Sequence, residues 1–170
     1  AIVTAPPFES AFIEHPDLYA FLIFPFIPFS FDKNAYLPKG VDIGPILNSP
    51  KYTFKNIDFD IIPLQGHTPN HIGIATPDNI IFVGDAFVGE NQIEHIKIYY
   101  NQDVFSAIDS MQFLLGTNYD YYVPSHGKPV KTIEDVIEKN IESIYKSADQ
   151  IYQIVSKQPL STDEIMERFS

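Results

Sequence analysis

The sequence predicts an α/β protein, and three observations predict it. Short runs rich in β-branched and aromatic residues, bounded by Pro, Gly and Asp, recur between Lys51 and Pro124. Apolar residues step at helical intervals from Asp103 to Leu115, and a longer helical stripe runs from Ile133 to Val155.

Taken in order, the first fifty residues differ from the rest. They hold Pro6, Pro7, Pro16, Pro25, Pro28, Pro38, Pro45 and Pro50, more than half of the fourteen prolines in the chain. That density excludes a long helix and a central strand. Short helical turns are expected at Ser10–Glu14 and Asp17–Phe24, followed by an aromatic-rich loop to about Asp42. Phe21, Phe24, Phe26, Phe29 and Phe31 read as core or lid packing. From Lys51, the residues Tyr52, Phe54, Ile57, Phe59, Ile61 and Ile62 make a strand-like run that ends at Pro63. His71–Ala75 is a second strand. Asn79–Val83 is a third, after the turn Pro77-Asp78-Asn79. Asp103–Leu115 is a helix stopped by Gly116, and Tyr121–Val123 is a strand closed by Pro124. Ile133, Ile137, Ile141, Ile144, Ala148, Ile151 and Val155 line one face of a long amphipathic helix. Thr132 is its expected cap, and Glu134 and Asp135 suit its N-terminal dipole. Ser161 with Glu164 three residues on reads as a capping box that opens a last helix. No internal repeat is visible.

Composition narrows the function. A length of 170 residues suits one domain, and 45% apolar with 14% aromatic residues is enough for a packed core. The absence of Cys excludes a disulfide scaffold, a Cys-ligated zinc finger and a thiol nucleophile. Eleven Lys and Arg against twenty-two Asp and Glu give a net charge of −11, which argues against a phosphate-neutralising surface for DNA or RNA. The longest apolar candidate, Ala20–Phe31, is broken by Pro25 and Pro28 and falls short of the ~18 residues of a membrane span. No leader pattern opens the chain, so a cytoplasmic location is expected. The start at Ala1 instead of Met suggests a processed or trimmed beginning.

Three short peptides share one design: Gly66-His67-Thr68, Gly84-Asp85-Ala86 and Ser125-His126-Gly127. Each follows an expected strand and sets a metal-ligand side chain beside a glycine, where the backbone can turn tightly. Two imidazoles and a carboxylate suit Zn²⁺ and similar borderline ions. A carboxylate has two oxygens, so Asp85 is able to bridge a pair of ions about 3.5–4 Å apart.

These peptides carry a resemblance. Residues 61–89 read IIPLQGHTPNHIGIATPDNIIFVGDAFVG and 121–130 read YYVPSHGKPV. In order and content they resemble the C-terminal half of the metallo-β-lactamase superfamily of metallohydrolases, with its GHT loop, its GDA-type strand end and its final G-H-G loop. The resemblance covers about residues 52–131, with Ser125 in place of the family's Gly. It implies a four-layer αββα sandwich, incomplete at the N-terminal side, in an α/β (α+β) class. It also implies His67 on a first metal, Asp85 bridging and His126 on a second. The ions are expected to be zinc, two in the full-length protein, with iron or manganese as substitutes. His71 matches a histidine that is generally not a ligand and is expected to pack behind the site. His95 reads as a loop residue and His15 as a helix-end residue.

The family's upstream H-x-H-x-D-H is absent, since only His15 precedes His67 and it does not match. No water-activating residue is therefore assigned. The chain is expected to be a fragment of a metal-dependent hydrolase that directs a metal-bound hydroxide at a small ester, thioester or lactone. By itself it is expected to be inactive. The alternatives are a non-catalytic or partner-completed module of the same fold and a nucleic-acid-processing relative. In this reading residues 1–131 form a partial metallo-β-lactamase-like domain, with 1–50 the Pro/Phe-rich segment and 51–131 the metal-site half. Residues 132–170 are C-terminal helices that resemble the opening of a winged-helix appendage. Those helices carry four basic and eight acidic residues, which argues against DNA reading. The expected partners are a small-molecule substrate and a second copy, as a homodimer or a strand-exchanged oligomer, with no nucleic acid and no membrane.

Overall fold

A computed structural model describes residues 2–18, 39–93, 95 and 100–169. The helical turn expected at Asp17–Phe24 and the five phenylalanines of 21–31 lie wholly or largely outside the described residues. Helix α1 is Pro7–Glu14, longer at its start than expected because Pro7 occupies the first helical position, where no amide donor is needed.

The strand-like run from Lys51 resolves into two strands, β1 (Lys51–Phe54) and β2 (Ile57–Pro63). Lys55 and Asn56 between them both take left-handed φ values, +49° and +62°, the two-residue turn whose twist matches a hairpin. Strands β3 (Ile72–Ala75), β4 (Ile80–Gly84) and β5 (Tyr121–Pro124) follow where expected. Between β4 and β5 lie α2 (Glu90–Ile93) and α3 (Val104–Leu115). Helices α4 (Glu134–Val155) and α5 (Thr162–Phe169) end the chain.

The strands make one mixed sheet in the order β1-β2-β3-β4-β5. The first three pairings are antiparallel and β4–β5 is parallel, which is possible because α2 and α3 carry the chain back across the sheet. It follows that β2, β4 and β5 all run in one direction. Their C-terminal ends lie along one edge of the sheet, and this fact builds the site.

Cross-strand rows separate the two faces. Ala75, Ile81 and Tyr122 stand in one row, all buried, and pack with Val83, Ile108, Met111, Leu114, Val136 and Ile137 beneath α3 and α4. The first half of α4 thus belongs to the same core as the sheet. The neighbouring row, Ile61, Ile74, Phe82 and Val123, faces away from those helices. The expected α/β class is present, with one five-stranded sheet and its helices among the described residues.

One helix start differs from expectation. The N-cap of α4 is Ile133, not Thr132, and it makes no side-chain cap. Glu134 instead turns back to accept from the Ile133 amide at 3.0 Å, its longer side chain reaching an amide at the helix start that lacks an intrahelical partner. The box at Ser161 forms as expected: the Ser161 amide donates to Glu164 Oε2 at 2.8 Å, and Ser161 Oγ accepts from the Glu164 amide at 3.4 Å. The Ser161 amide first, then its hydroxyl, which donates to the same Glu164 Oε2 at 2.8 Å, hold the Glu164 carboxyl below the usual carboxylate range.

Candidate metal centre

His67, Asp85 and His126 come from the three loops that leave β2, β4 and β5, so the common direction of those strands brings them to one edge. His67 Nε2 lies 3.7 Å from Asp85 Oδ2, and His126 Nε2 lies 3.6 Å from Asp85 Oδ1. One imidazole therefore faces each oxygen of a single carboxylate. His67 and Asp85 are about 70% buried, with side-chain exposures of 26% and 30%, while His126 is 66% exposed.

Each loop is tied to another element. The carbonyl of Gly66 accepts from the amides of Gln102 and Asp103 at 2.8 and 3.0 Å, and Ser110 on α3 donates to the Gln65 carbonyl at 2.7 Å. Asp103 then caps α3 through the amides of Phe105 and Ser106. The hydroxyl and amide of Ser106, with the Phe105 amide, hold its carboxyl below the usual range. The Ser125 amide donates to Gly84 O at 2.8 Å, and the Gly89 amide to His126 O at 2.7 Å. From α4, buried Asn140 grips Val88 on both sides, accepting from its amide at 3.1 Å and donating to its carbonyl at 2.9 Å.

The two histidines of the first loop have different work. His67 Nδ1 sits 3.0 Å from the carbonyl of Tyr100, which only accepts. Nδ1 therefore carries the proton, and Nε2 presents a lone pair toward Asp85. In His71 both nitrogens are engaged: Nδ1 donates to Leu64 O at 2.9 Å, and Nε2 accepts from the Asp85 amide at 3.1 Å. Burial lowers the His71 pKa, which keeps the ring neutral as this pair of bonds requires. His71 is thus a clip that sets the backbone of Asp85. Gly84 makes room for it, since at φ +58° a Cβ there would lie 2.6 Å from His71 Nε2.

The donors border a cavity of about 220 Å³ whose wall is largely apolar, with Phe87, Met111 and Ile144 among its lining residues. His15, the exposed C-cap of α1, and His95, in an exposed turn after α2, do not line it.

The donor set fits zinc in kind. A tetrahedral ion with bonds of about 2.0–2.2 Å sets neighbouring donors roughly 3.3–3.6 Å apart, close to both imidazole–carboxylate separations. It does not fit in number. Among the described residues no three His, Cys, Asp or Glu side chains close around one point, and a catalytic zinc takes three protein ligands.

Sequence reasoning singled out the three convergent residues but missed Tyr100, Ser110 and Asn140. Asn140 had a signal: an amide side chain on the core-facing side of an amphipathic helix needs partners.

No family model matches this chain. The solved structure of a metallo-β-lactamase family protein from Thermus thermophilus matches with a TM-score of 0.66 at 12% identity, over 99% of this chain and 60% of that one. A β-lactamase domain protein from Burkholderia ambifaria gives 0.60 at 15% identity, over 99% and 55%. An archaeal metallo-β-lactamase superfamily protein from Sulfolobus tokodaii gives 0.55 at 14%, over 98% and 66%. In sequence, the chain is 21% identical over 131 residues to the β-lactamase-like protein 2 homolog of Drosophila melanogaster, which is 77% of this chain and 43% of that protein. The fold is that of the metallo-β-lactamase superfamily, and the chain spans only part of the length of the proteins it matches.

Proposed function

We propose, from a metallo-β-lactamase superfamily fold that brings two imidazoles to one carboxylate, that this chain is the strand-end half of a metal-dependent hydrolase centre. The observation that carries the reading is Asp85, with His67 toward one oxygen and His126 toward the other. In it Asp85 would bridge two ions, and His67 and His126 would each hold one. Tyr100 fixes the tautomer of His67, and His71 fixes the backbone of Asp85. When bound, such ions supply Lewis acidity and a nucleophilic water. The apolar wall formed by Phe87, Met111 and Ile144 suits the apolar part of a small ester, thioester or lactone. The net charge of −11 argues against nucleic acid as substrate.

A second reading, a non-catalytic or partner-completed module, is favoured by the count of one imidazole per carboxylate oxygen. The test is to load the purified chain with zinc or manganese, then measure bound metal by native mass spectrometry and hydrolysis of p-nitrophenyl acetate, an acyl thioester and a lactone. The expected outcome is metal uptake that Asp85→Ala removes, without turnover. Turnover by this chain alone, lost in His67→Ala, would overturn the half-site reading. Metal uptake unchanged by Asp85→Ala would overturn the metal centre itself.

A further inference from the structure

We propose that Glu9 on α1 is a positioning residue for His67, which it holds by clamping the turn that follows it. The inference rests on the reading of His67 as a metal-holding residue and brings the Pro-rich segment into that centre. Glu9 Oε1 accepts two bonds, from Thr68 Oγ1 at 2.6 Å and from the Asn70 amide at 2.8 Å. One oxygen thus spans Pro69, whose ring already restricts the turn. The shorter bond has the length of a hydroxyl donating to a charged carboxylate. In return, Asn70 Oδ1 accepts from the Phe8 amide at 3.3 Å. The first amides of α1 need such a partner, because the N-cap is Pro6, which supplies no side-chain cap. The helix start and the metal loop therefore cap each other across a separation of 62 residues.

Two features make this a clamp. The first is where the tethers fall. Gln102, Asp103 and Ser110 hold the backbone of Gln65 and Gly66, which precede His67. Beyond His67 the loop's own bonds are long, since the amides of Gly66 and His71 reach the Thr68 carbonyl at 3.2 and 3.3 Å. Glu9 adds the two shorter bonds on that side. His67 therefore has a tether before it and a tether after it, and its Nδ1 stays 3.0 Å from the Tyr100 carbonyl.

The second feature is the base of the clamp. Helix α1 is braced against the segment that leads into β1: the Val41 amide donates to Ile13 O at 3.1 Å, and the Leu47 amide to Ala5 O at 2.9 Å. Glu9 Oε2 is buried and has no hydrogen-bond partner among the described residues, so the bonding of this carboxylate goes to the loop alone. A ligand loop held in this way keeps its ring oriented, and loss of such an outer partner typically weakens metal binding about 10–100-fold.

The test uses the 170-residue chain, first without metal, at an alkaline pH where both rings are neutral. Long-range ¹H–¹⁵N correlation should show the Nδ1–H tautomer at His67 and at His71. In Glu9→Ala, His67 should average between its two tautomers while His71 keeps Nδ1–H. Zinc affinity, from competition with a chromophoric chelator, should fall about tenfold or more. Glu9→Gln keeps the accepting oxygen and should restore both readouts. Glu14→Ala is the control: it frees the Ile43 amide at the other end of the same helix and should change neither. Circular dichroism checks that each variant is folded. Should Glu9→Ala not fold, Thr68→Val removes the hydroxyl donor and carries the same expectation. A folded variant whose His67 keeps a single Nδ1–H tautomer would overturn the proposal. So would a Glu14→Ala that behaves like Glu9→Ala, or a Glu9→Gln that restores nothing. A wild type that takes up no zinc overturns the metal-centre reading instead, and the metal-free tautomer of His67 still decides for or against Glu9.

Discussion

The edge of the sheet that carries His67, Asp85 and His126 and the C-terminal helical tail are held in different ways. At the edge every loop is fastened to a second element by backbone or buried polar bonds: Gly66 to α3, Asp85 to His71, Ser125 to Gly84, Val88 to Asn140. In the tail, α4 is buried only over its first turns, at Val136, Ile137 and Asn140, and α5 buries no residue. α5 lies against α4, and the Ser161–Glu164 box fixes its start. The difference teaches where precision is needed. Three side chains from three loops meet there, His67 and His126 at 3.7 and 3.6 Å from the two oxygens of Asp85, and directional bonds fix such positions where apolar contact does not.

Substitutions along this gradient should have graded effects. The largest is expected for Gly84→Ala, which combines a left-handed φ with a methyl set against the His71 ring. It should cost about 2–4 kcal/mol in urea unfolding. Combining it with His71→Ala should relieve the clash but not the backbone strain, so additivity of the two would refute the contact. Asn140→Ala leaves the amide and carbonyl of Val88 without their partner and should cost about 2–3 kcal/mol by the same measurement.

A smaller effect appears only with pH. The His71 pKa is lowered by burial, so the unfolded chain binds a proton there more readily than the folded one. Its contribution to stability is complete above the ordinary value of about 6.5 and is lost as pH falls through that value toward the lower folded one. The urea midpoint of the wild type should therefore fall more steeply between pH 7 and 5 than that of His71→Asn, and equal slopes would count against the clip. The smallest effect belongs to the tail. Ser161→Ala should leave the global midpoint unchanged and raise amide exchange in α5 alone.

Much of this was legible in the sequence. Strands β3, β4 and β5 and helix α3 stand out because Pro, Gly and Asn punctuate them, and the three glycine-flanked ligand motifs mark the strand ends. The hairpin at Lys55-Asn56 was hidden, since neither residue is the glycine that usually signals two consecutive left-handed positions, and the run to Pro63 read as one strand. Thr132 is the better capping residue by type, yet the N-cap of α4 is Ile133 and Glu134 is the side chain that reaches its amide. Sequence spacing placed His67, Asp85 and His126 on separate loops. Their meeting depends on the shared direction of β2, β4 and β5, a property of pairing that no local pattern encodes. The distinct duties of His67 and His71, four residues apart, depend on which carbonyl each ring meets.

That contrast gives the most direct test of the metal centre. Zinc is titrated into ¹⁵N-labelled protein, and the imidazole nitrogens are followed by long-range ¹H–¹⁵N correlation. The Nε2 resonances of His67 and His126 should shift together on zinc addition, with His71 moving far less and keeping its Nδ1–H tautomer. Zinc that shifts His71 instead, or that leaves His67 and His126 unmoved, would contradict the assignment of these three residues as the metal-holding half of the site.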